Sequence, residues 1–169
     1  NYELSVKEYL ENISGKTAEL FQLSCSVGAF ESGTSERFAK KAGDIGLSIG
    51  MAFQIIDDIL DYTKESQEIG KPVLEDMRQG VYSLPLIYSL QKNKQSLLPY
   101  LEKKTEMTEE DVEAVRKIVE RTGGVGEAKK LAAAYTEKAL KEIKKLPDTS
   151  LRTRENLFSL TQLILDRKD

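Results

Sequence analysis

From Ile45 to Leu60 nearly every position is Ile, Leu, Met, Phe, Ala or Gly, a pattern that predicts a helix buried over most of its surface. Helical spacing of apolar positions recurs along the rest of the chain. Ser5, with Glu8 three residues later, predicts a capping box that opens a first helix reaching about Glu31. Gly33-Thr34-Ser35-Glu36 closes that helix and starts the central one, expected through Tyr62. Lys64 to Gly80 reads as a polar loop punctuated by Gly70-Lys71-Pro72 and Gln79-Gly80. Pro85 suits the first turn of a helix continuing through Leu90, and after Pro99 the pair Thr108 and Asp111 caps an amphipathic helix that Gly123-Gly124 stops. A long amphipathic helix then runs to about Leu146, where Pro147-Asp148 breaks it. The last helix is expected to carry Leu157, Leu160, Leu163 and Ile164 on one face. No alternating stretch bounded by hairpin turns occurs, so the expected fold class is all-α.

Composition narrows the partners. The 169 residues suffice for one domain with a substantial core, and residues 1–169 read as a single all-α unit. Acidic and basic residues are interspersed around a formal charge of −3, so neither a nucleic-acid-binding patch nor an acidic tail is expected. No segment is long and apolar enough to span a bilayer. Cys25, the single cysteine, sits in a helical apolar setting and reads as a small buried hydrophobe. A reducing cytoplasm is the expected setting. Asn1-Tyr2-Glu3 has no initiator Met and enters a helical pattern almost at once, so a piece of a longer chain is expected.

The chemistry concentrates at the end of the central helix. At about 100° per residue, Gln54, Asp57, Asp58 and Asp61 share one stripe. Asp57 and Asp61 would stand one turn apart, and like charges in so apolar a setting repel one another and lose hydration. A cation resolves both problems. All-oxygen ligation in a chain without His points to a hard ion such as Mg²⁺, which takes one or two carboxylates plus substrate phosphates. A calcium EF-hand loop does not fit, because counting from Asp57 puts Tyr62 where that loop needs Gly. Gly43, Gly46 and Gly50 lie in the same helix and have two readings, close helix packing or clearance for a substrate. Lys16, in Lys16-Thr17-Ala18, either snorkels to solvent or meets a phosphate, and Lys71 in the loop reads the same way. Asp76 either reaches a second cation or pairs with Arg78.

In order and rough spacing, Lys16-Thr17-Ala18, Phe53-Gln54-Ile55-Ile56-Asp57-Asp58-Ile59-Leu60-Asp61, Gly70-Lys71-Pro72, Asp76 and Leu84-Pro85 resemble the trans-type polyprenyl diphosphate synthases. The family's second aspartate-rich motif, D-D-x-x-D preceded by F-Q, is intact. The resemblance covers nearly the whole chain but only the C-terminal part of such an enzyme. The first D-D-x-x-D motif and the Gly-Lys-Arg stretch that binds isopentenyl diphosphate do not occur in these residues. Val81 also departs from the pattern, since many members carry Lys after this Gly.

What the resemblance implies is a helical isoprenoid-synthase-type bundle that joins isopentenyl diphosphate to an allylic diphosphate with Mg²⁺, as a homodimer in its full-length form. Asp57, Asp58 and Asp61 would be metal ligands, and Lys16 and Lys71 would hold the allylic diphosphate. Thr17 and Gln54 would turn oxygen dipoles toward the nascent cation, and Asp76 would orient Lys71 or a metal-bound water. The 169 residues alone would be inactive. Two alternatives are a non-catalytic subunit of a two-component prenyl synthase, which would be expected to lose the aspartates, and a terpene cyclase, which generally lacks this form of the motif. Arg78-Gln79-Gly80 and Leu84-Pro85 lean toward medium or long polyprenyl products.

Overall fold

A computed structural model of the chain describes residues 2–62 and 75–166. All regular structure among the described residues is helical, as the spacing predicts. The helices are α1 (Val6–Ile13), α2 (Glu19–Glu31), α3 (Glu36–Leu60), α4 (Glu75–Arg78), α5 (Leu84–Leu101), α6 (Glu109–Thr122), α7 (Gly124–Lys144) and α8 (Thr153–Leu165). No described helix is long and apolar enough to cross a membrane. The described residues form two compact units. One gathers those of Asn1–Tyr9 and Asp57–Lys130, the other those of Leu10–Ile56 and Leu131–Lys168.

The second unit carries the body of the central helix. Ser35 caps α3 by accepting a hydrogen bond from the Phe38 N–H at 3.3 Å. Ile45 and Ile49 on α3 pack against Ala139, Ile143 and Leu146, with Phe21, Phe38, Leu157 and Phe158 closing around them. The glycines explain how closely α2 lies against α3. A Cβ on Gly46 would stand 2.4 Å from the Phe21 carbonyl oxygen, and one on Gly50 would stand 2.7 Å from Ala18 Cα. At Gly46 and Gly50, then, the glycines serve close packing.

The first predicted helix does run to Glu31, but not as one regular element. Its capping box forms, with Glu8 Oε2 accepting from the Ser5 N–H at 2.8 Å and Ser5 Oγ accepting from the Glu8 N–H at 3.2 Å. Between α1 and α2, residues Ser14–Ala18 form a π-helical turn, in which the Glu19 N–H reaches the Ser14 carbonyl. Such turns insert one extra residue and recur at functional sites. The inserted turn contains Lys16-Thr17-Ala18.

The first unit buries Leu84, Leu86, Ile87 and Leu97 of α5 with Val115 and Val119 of α6. Helix α5 extends past the expected end near Leu90. Asn93 leaves helical geometry (φ −151°, ψ 64°), and its side chain accepts from the Ser96 N–H at 3.4 Å, capping a second segment that reaches Leu101. The predicted Thr108–Asp111 box is present, with bonds of 3.0 and 3.2 Å. Helix α4 ends in a Schellman turn. There the Val81 N–H bonds the Asp76 carbonyl at 2.9 Å and the Gly80 N–H bonds that of Met77 at 3.1 Å. Gly80 takes φ +80°, which a side chain would strain.

One face was misassigned from periodicity. On α8, Leu160 and Leu163 are exposed, while Thr161 and Leu165 are buried. Leu157 and Phe158 of α8 pack on the cluster around Ile45 and Ile49. Leu157, Phe158, Thr161 and Leu165 form a second stripe about 100° wide, and spacing alone did not choose between it and the all-aliphatic one.

Candidate functional site

The last turn of α3 ends in acids. Asp57 and Asp58 belong to that turn, and Asp61 follows directly after Leu60. A helix C-terminus already carries about half an elementary negative charge, and no basic residue occupies this last turn of α3. Three carboxylates therefore add to the dipole instead of opposing it, which makes this end of the helix attractive to a cation. The apolar stretch behind it is buried as expected, through Ile45, Ile49, Met51, Ala52, Ile55 and Ile59.

The carboxylates differ in setting. Asp57 and Asp61 are exposed, whereas Asp58 is half-buried. This corrects the expectation that Asp57 and Asp61 would lose hydration, because the helix ends here and its outer side meets solvent. Asp58 Oδ2 accepts a 2.6 Å hydrogen bond from the phenol of Tyr9, a residue only 4% exposed. Burial first, and the Asp58 charge second, push the Tyr9 phenol well above its ordinary range. Nearby, Tyr62 shares a 3.1 Å hydrogen bond with Ser83. Its phenol is likewise pushed up, mainly by burial, with Asp58 and Asp61 adding to the shift.

Sequence reasoning missed Tyr9. A tyrosine in a capped amphipathic helix looks like ordinary core, and nothing local ties it to a residue 49 positions away.

In the other unit, Thr17 Oγ1 donates to Gln54 Oε1 at 3.0 Å, and the Phe21 and Phe53 rings lie 5.5 Å apart. Lys16 is exposed on the π-helical turn. Asp76 is exposed on α4. Lys71 lies outside the described residues, as do Gly70 and Pro72.

Among the described residues no three acidic or other ligating side chains converge to hold a metal ion. The donor chemistry still fits a hard cation. Asp57 and Asp61 offer oxygen only, and Mg²⁺ is ordinarily held by one or two carboxylates with phosphates and waters filling the other positions. A closed cage made by the described residues alone does not fit. A site completed by a phosphate-bearing ligand does.

The family model for polyprenyl synthetase matches residues 1–122. The chain belongs to the polyprenyl synthetase family. Heptaprenyl diphosphate synthase component 2 of Bacillus subtilis is 35% identical over 172 residues, covering 99% of this chain and 47% of that protein. The crystal structure of geranylgeranyl pyrophosphate synthase from Lactobacillus brevis superposes with a TM-score of 0.90 at 45% identity, covering 99% of this chain and 53% of that one. A polyprenyl synthase from Caulobacter crescentus, solved with calcium and isoprenyl diphosphate, has a TM-score of 0.87 at 31% identity, covering all of this chain and 52% of its own. This polyprenyl synthetase chain thus spans about half the length of the relatives it matches. The all-α expectation and the family resemblance both hold.

Proposed function

We propose that this chain supplies the second aspartate-rich wall of a prenyltransferase that condenses isopentenyl diphosphate with an allylic diphosphate. The observation that carries the reading is the pair of exposed carboxylates, Asp57 and Asp61, at the negative end of buried α3. The Caulobacter relative adds support, since it was solved with a divalent cation and an isoprenyl diphosphate.

In this reading Asp57 and Asp61 would hold Mg²⁺, with Asp58 assisting directly or through water. When bound, the metal supplies charge stabilisation for the leaving diphosphate. Lys16 and Lys71 carry point charges for the same group. The allylic C–O bond breaks with its electron pair remaining on the diphosphate. The π electrons of isopentenyl diphosphate then form the new C–C bond, and a proton departs to the released diphosphate. Thr17 and Gln54 offer oxygen dipoles to the cationic carbon, which must be kept from water. Asp76 would orient Lys71 or a metal-bound water. A homodimer and a cytoplasmic setting belong to the same proposal.

A second reading concerns the partner. The Bacillus relative is named as one component of a synthase, which favours a separate partner chain over a homodimer. Retained aspartates argue that this chain would be the catalytic component.

The test is prenyl transfer onto labelled isopentenyl diphosphate. The 169 residues contain one D-D-x-x-D motif and are expected to give no product alone. In an enzyme that also provides the first motif, Asp57→Ala should cut turnover by about a hundredfold or more with the helical content unchanged. Near-normal turnover of that variant at limiting Mg²⁺ contradicts the assignment. Robust transfer by the 169 residues alone contradicts the need for a second carboxylate wall.

A further inference from the structure

A hydrogen bond ties the acidic end of α3 to α1. Tyr9 is 4% exposed, lies one turn beyond the Ser5 cap, and directs its hydroxyl at Asp58 Oδ2 from 2.6 Å. That distance is the ordinary one for a hydroxyl donating to a carboxylate, a charge-assisted bond stronger than one between neutral groups. A carboxylate offers about four lone-pair positions, so this bond uses one and fixes the direction of the rest. Asp57 and Asp61, by contrast, are exposed. Of three acids within five residues, Asp58 is thus half-buried against Tyr9 while Asp57 and Asp61 are exposed.

We propose that Tyr9 is a positioning residue for the metal–diphosphate site. It helps to hold the Asp58 carboxylate in one rotamer, so that Asp58 meets a divalent cation already oriented. This inference rests on the function proposed above. Without the phenol, Asp58 loses one of the contacts that orient it, and binding would have to restore that orientation at an entropic cost. The ring itself fills its place in the first unit whether or not the hydroxyl is present. Tyr9→Phe therefore removes the positioning and keeps the packing.

The experiment uses inorganic diphosphate as probe and follows thermal stabilisation of the purified chain as Mg²⁺ is titrated. Wild type, Tyr9→Phe, Asp58→Asn and the double variant are compared, with helical content checked by circular dichroism. The Mg²⁺ midpoint is expected to rise about three- to tenfold in Tyr9→Phe, the scale of one net hydrogen bond. It should rise similarly in Asp58→Asn, and the double variant should add little to either. A purely structural tyrosine would lower the melting temperature in the absence of ligand and leave the midpoint within twofold of wild type, and that result overturns the proposal. Should Tyr9→Phe fail to fold, Asp58→Asn decides the matter, since an unmoved midpoint there also overturns it. Absence of any Mg²⁺-dependent response in wild type would sink the functional reading along with this one. A wild-type response that both variants share unchanged would sink this inference alone.

Discussion

Thr17 Oγ1 donates to Gln54 Oε1 at 3.0 Å, joining the π-helical turn to α3 across 37 positions of sequence. The bond sets polarity at both ends. Thr17 spends its only proton on the amide oxygen, so what its hydroxyl can offer any further partner is lone pairs. A hydroxyl in that state suits a developing positive charge better than an anion.

Thr17→Val keeps the shape and removes the donor, leaving a part-buried amide oxygen without this partner. The expected loss is about 1–2 kcal/mol of stability, read from the urea midpoint at constant slope. If the dipole also serves the reaction, turnover falls while the Michaelis constant for the allylic substrate stays within a few-fold. An unchanged midpoint would show that the contact contributes nothing.

The packing of α2 on α3 yields a paired test. Gly46→Ala would push a Cβ to within 2.4 Å of the Phe21 carbonyl oxygen, whereas a Cβ on Gly126 in α7 meets no atom within 4 Å. Overpacking of the first kind costs about 1–3 kcal/mol or more, while the second substitution gains up to about 1 kcal/mol of helix preference. Denaturant midpoints should move in opposite directions. Equal shifts would contradict the close approach of the two helices.

Most of the fold was legible because its signals are local. The Ser5–Glu8 and Thr108–Asp111 boxes, the apolar run of α3 and the break at Pro147-Asp148 each declare themselves within a few residues. What escaped depended on partners distant in sequence or on which of two stripes turns inward. The continuation of α5 beyond Asn93 needed a side-chain cap inside an otherwise unremarkable polar run. The inward face of α8 includes Thr161, which is 1% exposed, so a hydroxyl holds a place that periodicity had given to leucine. At the candidate site the aspartates were plain in the sequence. The bond from Tyr9 to Asp58 was not, because its two ends lie 49 positions apart.

Stability should fall on both sides of neutrality. Lys103 first, and the Thr108 N–H next, hold the Asp111 carboxyl below its ordinary range. Glu8 is lowered by the Ser5 N–H, Glu113 by Arg116, Glu127 by Lys130 and Glu142 by Lys145. Such groups bind fewer protons when folded than when unfolded. Their contribution is complete above the unfolded values and is lost as the pH falls below about 4. Burial raises the Tyr9, Tyr62 and Tyr82 phenols, so the folded chain keeps protons that the unfolded chain releases near pH 10. Stability therefore declines again as the pH climbs past about 10. A urea midpoint that stays flat from pH 5 to pH 2 would contradict the acid limb, and one flat from pH 9 to pH 11 the alkaline limb.

The central claim is that Asp57, at the negative end of α3, helps to hold a divalent cation together with an allylic diphosphate. The direct measurement is the melting temperature of wild type and Asp57→Ala with an allylic diphosphate, in the presence and absence of Mg²⁺. Wild type should gain stability only when both ligands are present, about 2.7 kcal/mol at a hundredfold excess over the dissociation constant, and Asp57→Ala should lose most of that gain. Equal stabilisation of the two proteins, or a response to the diphosphate that ignores Mg²⁺, would contradict the account.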